Sequence, residues 1–105
     1  MSNNPIQAAL QSGQFSVALN QANALLEKHP TDVKLWYAKA LALMEMRQPE
    51  EAIAAAEYAV CLEPSLAVAH RLLGKAKQML GDQEGAIAAY KTAMKCYIEL
   101  SLIHI

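Results

Sequence analysis

Residues 33–64, VKLWYAKALALMEMRQPEEAIAAAEYAVCLEP, decide how the rest of the chain is read. Pro49 can open a helix because its missing N–H costs nothing there, and Glu50 and Glu51 suit the positive N-terminal end that follows. Pro64 closes the stretch. Between the two prolines, Ala52, Ala56 and Ala59 stand three and four residues apart, the spacing of one helix face. The landmarks then recur. Ala18, Ala52 and Ala86 are 34 residues apart and are followed by Leu19, Ile53 and Ile87, while Pro30 and Pro64 keep the same period. The register also aligns Gly13 with Gly81, Leu25 with Ala59 and Ala93, and Leu26 with Val60 and Met94. A fixed period of this length describes a stacked supersecondary unit, so internal repetition governs the reading of every other residue.

Each period contains signals for two helices. Asn4 caps a short first helix with Pro5 at its first position, and Gly13 closes it. The second runs from about Phe15 to Lys28, with Ala18, Leu19, Ala22, Leu25 and Leu26 on one face. Asp32 caps a third over 33–46, and Pro49 opens the fourth. Ser65 is expected to cap the fifth, over 66–80, and Gly81-Asp82 turns the chain into a sixth from about Gln83. The connections are short, which makes neighbouring helices antiparallel. The expected fold is therefore all-α, with about six helices.

Composition agrees and excludes several classes. Of 105 residues 54% are apolar, with four Gly and four Pro, which argues against disorder and against a turn-rich β fold. Nine bases against ten acids give a net charge of −1, leaving no overall field for nucleic acid or an anionic membrane. Cys61 and Cys96 have neither metal-ligand spacing nor the density of a disulfide scaffold, and both read as small buried hydrophobes. No stretch reaches transmembrane length, and the N-terminus lacks the basic flank and apolar run of a signal peptide. A cytoplasmic location is the expectation.

These residues resemble the tetratricopeptide repeat. Trp36, Ala40, Ala52, Ala56, Ala59 and Pro64 carry the likeness in the middle repeat, and Leu73-Gly74, Gly81-Asp82, Ala86, Tyr90 and Ala93 carry it in the third. Gly13, Phe15, Ala18 and Pro30 carry it in the first. The resemblance implies antiparallel helix pairs stacked as a right-handed superhelix, with repeats over about 4–32, 33–66 and 67–97. Small residues let helix axes approach, and Trp36, Leu43, Leu73 and Tyr90 fill the spaces between them. Two positions depart from the family pattern: Lys39 and Lys77 replace a usual Leu and Tyr, so their stems should follow the core edge with the ammonium groups in water. The segment 98–105 is apolar and lies beyond the array. It reads as an extension of the last helix, as an interface for another copy, or as a remnant of truncation or cloning.

The family's function is to bind proteins in a concave groove lined by the first helix of each repeat. On the outward face of helix 33–46 this selects Lys34, Tyr37, Leu41 and Met44, and on helix 66–80 it selects Arg71, Lys75 and Gln78. A peptide with acidic and apolar residues is the expected guest. Segment 66–80 holds Arg71, Lys75 and Lys77 and no acid, whereas 49–63 holds Glu50, Glu51, Glu57 and Glu63 and no base. Groove and back should therefore differ in sign. Family members that grip a peptide's C-terminal carboxylate use Lys, Asn and Arg at positions that correspond here to Asn3, Gln7, Ala38, Val68 and Leu72, so that clamp is absent. His29, His70 and His104 have no evident catalytic partner, and no phosphate loop or metal motif occurs. The reading is a non-catalytic interaction scaffold without metal or cofactor. A docking or regulatory segment of a larger enzyme, and a module that self-associates through its C-terminal end, are the alternatives.

Overall fold

The computed structural model describes residues 4–103, and side chains as far as Glu99. Its elements are α1 (Pro5–Gln11), α2 (Phe15–Lys28), α3 (Val33–Glu45), α4 (Pro49–Leu62), α5 (Ala67–Met79) and α6 (Gln83–Ile103). Asn3, His104 and Ile105 lie outside the described residues.

The helix starts follow local chemistry. Asn4 Oδ1 accepts hydrogen bonds from the Ile6 and Gln7 amides, at 3.0 and 3.4 Å, and Asp32 Oδ1 accepts from Lys34 N at 3.0 Å. Asp82 Oδ1 accepts from Gly85 N at 2.9 Å at the start of α6. Each satisfies an amide that the first turn leaves without a carbonyl. Ser65 does not cap α5. The cap position belongs to Leu66, one residue later, and no side chain bonds to the first turn. The reason is register, since Leu66 stands 34 residues after Asp32. Helices α3 and α5 are also shorter than expected, each ending one residue earlier, and α5 begins one residue later.

Gly13 and Gly81 adopt left-handed conformations, φ 81° and 83°, where the chain leaves α1 and α5. Arg47 holds the same place in the middle repeat, with φ 63°. A side chain makes that conformation cost about 1–2 kcal/mol, partly offset on changing to glycine by glycine's greater freedom when unfolded. Arg47→Gly is therefore expected to raise stability by about 0.5–1 kcal/mol, read as a higher urea midpoint at unchanged slope.

Consecutive helices pack pairwise throughout, and α3 also touches both α1 and α5. By contrast α2 and α4, like α4 and α6, make no backbone approach among the described residues. The odd helices thus form the inner row of a curved stack and the even helices its outer row. One core cluster joins α3, α4 and α5 through Ala40, Leu43, Met44, Ala52, Ala56, Leu72 and Leu73. A second joins α1, α2 and α3 through Ile6, Ala9, Ala18, Ala22, Leu26 and Leu35. Most shared positions are alanine, which explains how axes come close enough to bury so much with few large side chains.

Trp36 and His70 occupy equivalent positions and make equivalent tethers. Trp36 Nε1–H donates to the Pro30 carbonyl at 2.8 Å, and His70 Nε2 lies 2.8 Å from the Pro64 carbonyl. A carbonyl only accepts, so that histidine nitrogen carries a proton. Each ring pins the loop that enters its own repeat, which gives the two residues a structural role.

Three expectations change. Leu25 is 38% exposed although Ala18, Ala22 and Leu26 on the same helix are buried, because a leucyl side chain reaches beyond the space its aligned alanines fill. Cys96 is buried, whereas Cys61 is exposed. Cys61 aligns with Glu27 and Lys95, which face outward. Lys39 and Lys77 are half-buried as the core-edge reading requires, but the Lys39 ammonium lies over the Trp36 ring, 5.3 Å from its centroid. The backbone of 98–103 continues α6, and Ile98 is exposed.

Candidate functional site

The inner surface of α1, α3 and α5 carries two adjoining clefts. The first, of about 530 Å³, is lined by Gln7, Leu10, Lys34, Tyr37, Ala38, Leu41 and Val68 among others. The second, of about 370 Å³, shares Tyr37, Leu41 and Val68 and adds Met44, Arg71, Leu72, Lys75 and Tyr90. The shared side chains make the two clefts one continuous groove.

Six of the seven residues selected from the sequence line this groove. Lys34, Arg71 and Lys75 are exposed at its edge, and Tyr37 and Leu41 are half-buried on its floor. Met44 is not an outward residue. It is only 7% exposed and belongs to the central core, because α5 packs across that side of α3. Its contribution is to the deepest part of the floor. Gln78 lines neither cleft, and its Oε1 accepts a hydrogen bond from the Tyr90 hydroxyl at 3.3 Å. Val68 and Leu72, which the sequence placed at the positions of the missing clamp but not among the binding residues, also line the groove, as does Tyr90, read from the sequence as a filler between helices. The signal was present in the first two, which stand three and four residues from Arg71 or from each other on α5.

Tyr37 is the centre of the site. Burial pushes its phenol above the ordinary range, while the neighbouring Arg71 guanidinium pulls the other way. The net effect keeps Tyr37 a neutral hydroxyl, able to donate and to accept. Gln7, Ala38, Val68 and Leu72, described members of the set where a carboxylate clamp would sit, line the groove here, and three of the four are apolar. The surface can thus receive apolar side chains at its floor and negative charge at its basic edge. No group of three or more His, Cys, Asp or Glu residues able to hold a metal ion occurs among the described residues.

The tetratricopeptide repeat profile matches residues 6–66 and 37–98, which together cover most of the chain. This chain belongs to the tetratricopeptide repeat family. It is 27% identical over 86 residues to the small glutamine-rich tetratricopeptide repeat-containing protein 2 of Saccharomyces cerevisiae, covering 82% of this chain and 25% of that protein. The chain therefore spans about a quarter of that relative's length. Among solved structures, the second tetratricopeptide domain of Spaghetti (RPAP3) bound to the HSP90 peptide SRMEEVD superposes with a TM-score of 0.86. The two are 19% identical over 89% of this chain and 86% of that one. MamA 41-end from Desulfovibrio magneticus RS-1 superposes at 0.84, with 26% identity over 90% of this chain and 53% of that one. The fold is an all-α tetratricopeptide solenoid. No helix among the described residues is long and apolar enough to cross a membrane.

Proposed function

We propose that residues 4–97 form a non-catalytic module that takes a partner-protein segment into the α1–α3–α5 groove, and that the segment is apolar on one side and acidic on another. The observation that carries this reading is the continuity of the two clefts. Ala38, Leu41, Val68 and Leu72 supply an apolar floor, and Lys34, Arg71 and Lys75 supply the charge at its edge. Apolar contact gives affinity, and the basic edge sets orientation and rate of encounter. The family makes such a role the natural one.

RPAP3 holds the HSP90 peptide SRMEEVD in its solved complex. The same peptide is not the expected guest here, because the clamp positions carry Ala38, Val68 and Leu72. An internal segment suits them better than a free C-terminus.

Selection from a random peptide display library tests the proposal. Enriched sequences should combine acidic with large apolar residues and should bind less tightly as salt is added. Arg71→Glu with Lys75→Glu should weaken the selected peptides severalfold, the effect of exposed charges each contributing roughly 0.2–1 kcal/mol. Circular dichroism should remain helical. Unchanged affinity in the folded variant would remove the groove from consideration.

A further inference from the structure

A third cleft, of about 400 Å³, shares no residue with the groove. It lies between α3 and α4, on the side of α3 opposite Lys34, Tyr37 and Leu41, and is lined by Trp36, Lys39, Glu51, Ala54 and Tyr58 among others. Its aromatic wall is built in a defined way. Trp36 is held by its bond to the Pro30 carbonyl, and Tyr58 stacks on it with ring centroids 4.3 Å apart and planes 12° from parallel. The aligned positions of Tyr58 are Ala24 and Thr92, so only the middle repeat carries this pair.

At that separation no group fits between the two rings. What remains available is the outer part of Tyr58, which is 57% exposed. Glu51 stands seven residues earlier on the same helix face, and helical side chains lean toward the N-terminus, so Tyr58 leans toward Glu51 across Ala54. The Lys39 ammonium sits over the indole rather than across from Glu51 in an ion pair. Glu51 is the one acid among the cleft's lining residues, and α4 itself holds no base. The cleft thus holds one base, engaged by the indole, and one acid, which stands on the same helix as the exposed Tyr58 ring.

We infer that this cleft docks an arginine of a basic partner segment, with the guanidinium stacked on Tyr58 and paired with Glu51. A planar guanidinium matches both features at once. A lysine ammonium is a compact, strongly hydrated charge that satisfies the carboxylate but stacks poorly. The module would then hold two segments of opposite charge on opposite sides of α3.

The test uses the whole chain with two capped pentapeptides of equal charge, one alternating glycine and arginine and the other glycine and lysine. Trp36, the single tryptophan, reports binding by its emission, and amide NMR shifts locate it. The arginine probe is expected to shift the Glu51, Ala54 and Tyr58 amides and to bind about 2–5-fold more tightly than the lysine probe, as one exposed stacked cation requires. Tyr58→Leu should abolish that preference, Tyr58→Phe should keep it, and Glu51→Gln should weaken both probes. Equal affinity for the two probes would overturn the inference. So would shifts confined to residues outside the cleft, or a preference that survives in folded Tyr58→Leu. None of these outcomes depends on whether acidic peptides bind the groove.

Discussion

Replacing Leu43 with alanine is expected to lower the unfolding free energy by about 2–5 kcal/mol, the range for deleting a buried leucyl side chain with incomplete collapse. Leu43 is 1% exposed and is the largest fully buried side chain among the described residues. It sits where α3, α4 and α5 meet, surrounded by Ala40, Ala52, Ala56, Leu72 and Leu73. Alanines cannot extend to fill the space that would be left, so the cavity should persist. In a stacked array each unit depends on its neighbours, and loss at this junction weakens contact with the third repeat as well as the middle one. Urea unfolding followed by circular dichroism measures the effect. A change below about 1 kcal/mol would show that the helices close over the gap.

The second large effect concerns Gly74. A Cβ built on this glycine would lie 2.9 Å from Tyr90 Cδ1 and Cε1 and 3.0 Å from Cγ, too close for the ring to remain where it is. Alanine would gain about 1 kcal/mol of helix propensity. Against that gain, overpacking typically costs about 1–3 kcal/mol, so Gly74→Ala should destabilise by a net amount of up to about 2 kcal/mol. The aligned pair in the middle repeat is Ala40 and Ala56, both fully buried. Gly74→Ala/Tyr90→Ala would recreate that combination, and its loss should be smaller than the sum of the two single losses. Additivity in this double-mutant cycle would mean that the two sites are independent. Tyr90 also lines the groove and donates to Gln78, so the fit at Gly74 links packing to the shape of the binding surface.

Much of the fold was legible because the repeat reports itself several times over. Ala18, Ala52 and Ala86 locate the same helix face in each unit, and Pro30, Pro64, Gly13 and Gly81 mark its limits. The same period held information that reading one residue at a time overlooked. It assigns the α5 cap to Leu66 rather than Ser65, places Cys61 with the exposed Glu27 and Lys95, and sets Arg47 where the other repeats have glycine. In the candidate site, the basic edge of Lys34, Arg71 and Lys75 followed from helical spacing, as did Tyr37 and Leu41.

What the sequence determined by itself was therefore the set of helices, their antiparallel succession, the period and the family. These depend on local capping, chain stiffness and periodic burial, all of which act over a few residues and repeat. The tertiary structure alone decided which residues on the inner row remain open. Met44 shares a helical face with Tyr37 and Leu41, yet α3 is flanked by α1, α2, α4 and α5, and the approach of α5 covers that position. The third cleft has the same origin. Trp36 and Tyr58 stand 22 residues apart, on different helices, and only the angle at which α3 and α4 pack makes their rings stack and leaves the outer part of Tyr58 free beside Glu51. A helix with neighbours on several sides has no single buried stripe, so periodicity names its candidates and packing selects among them.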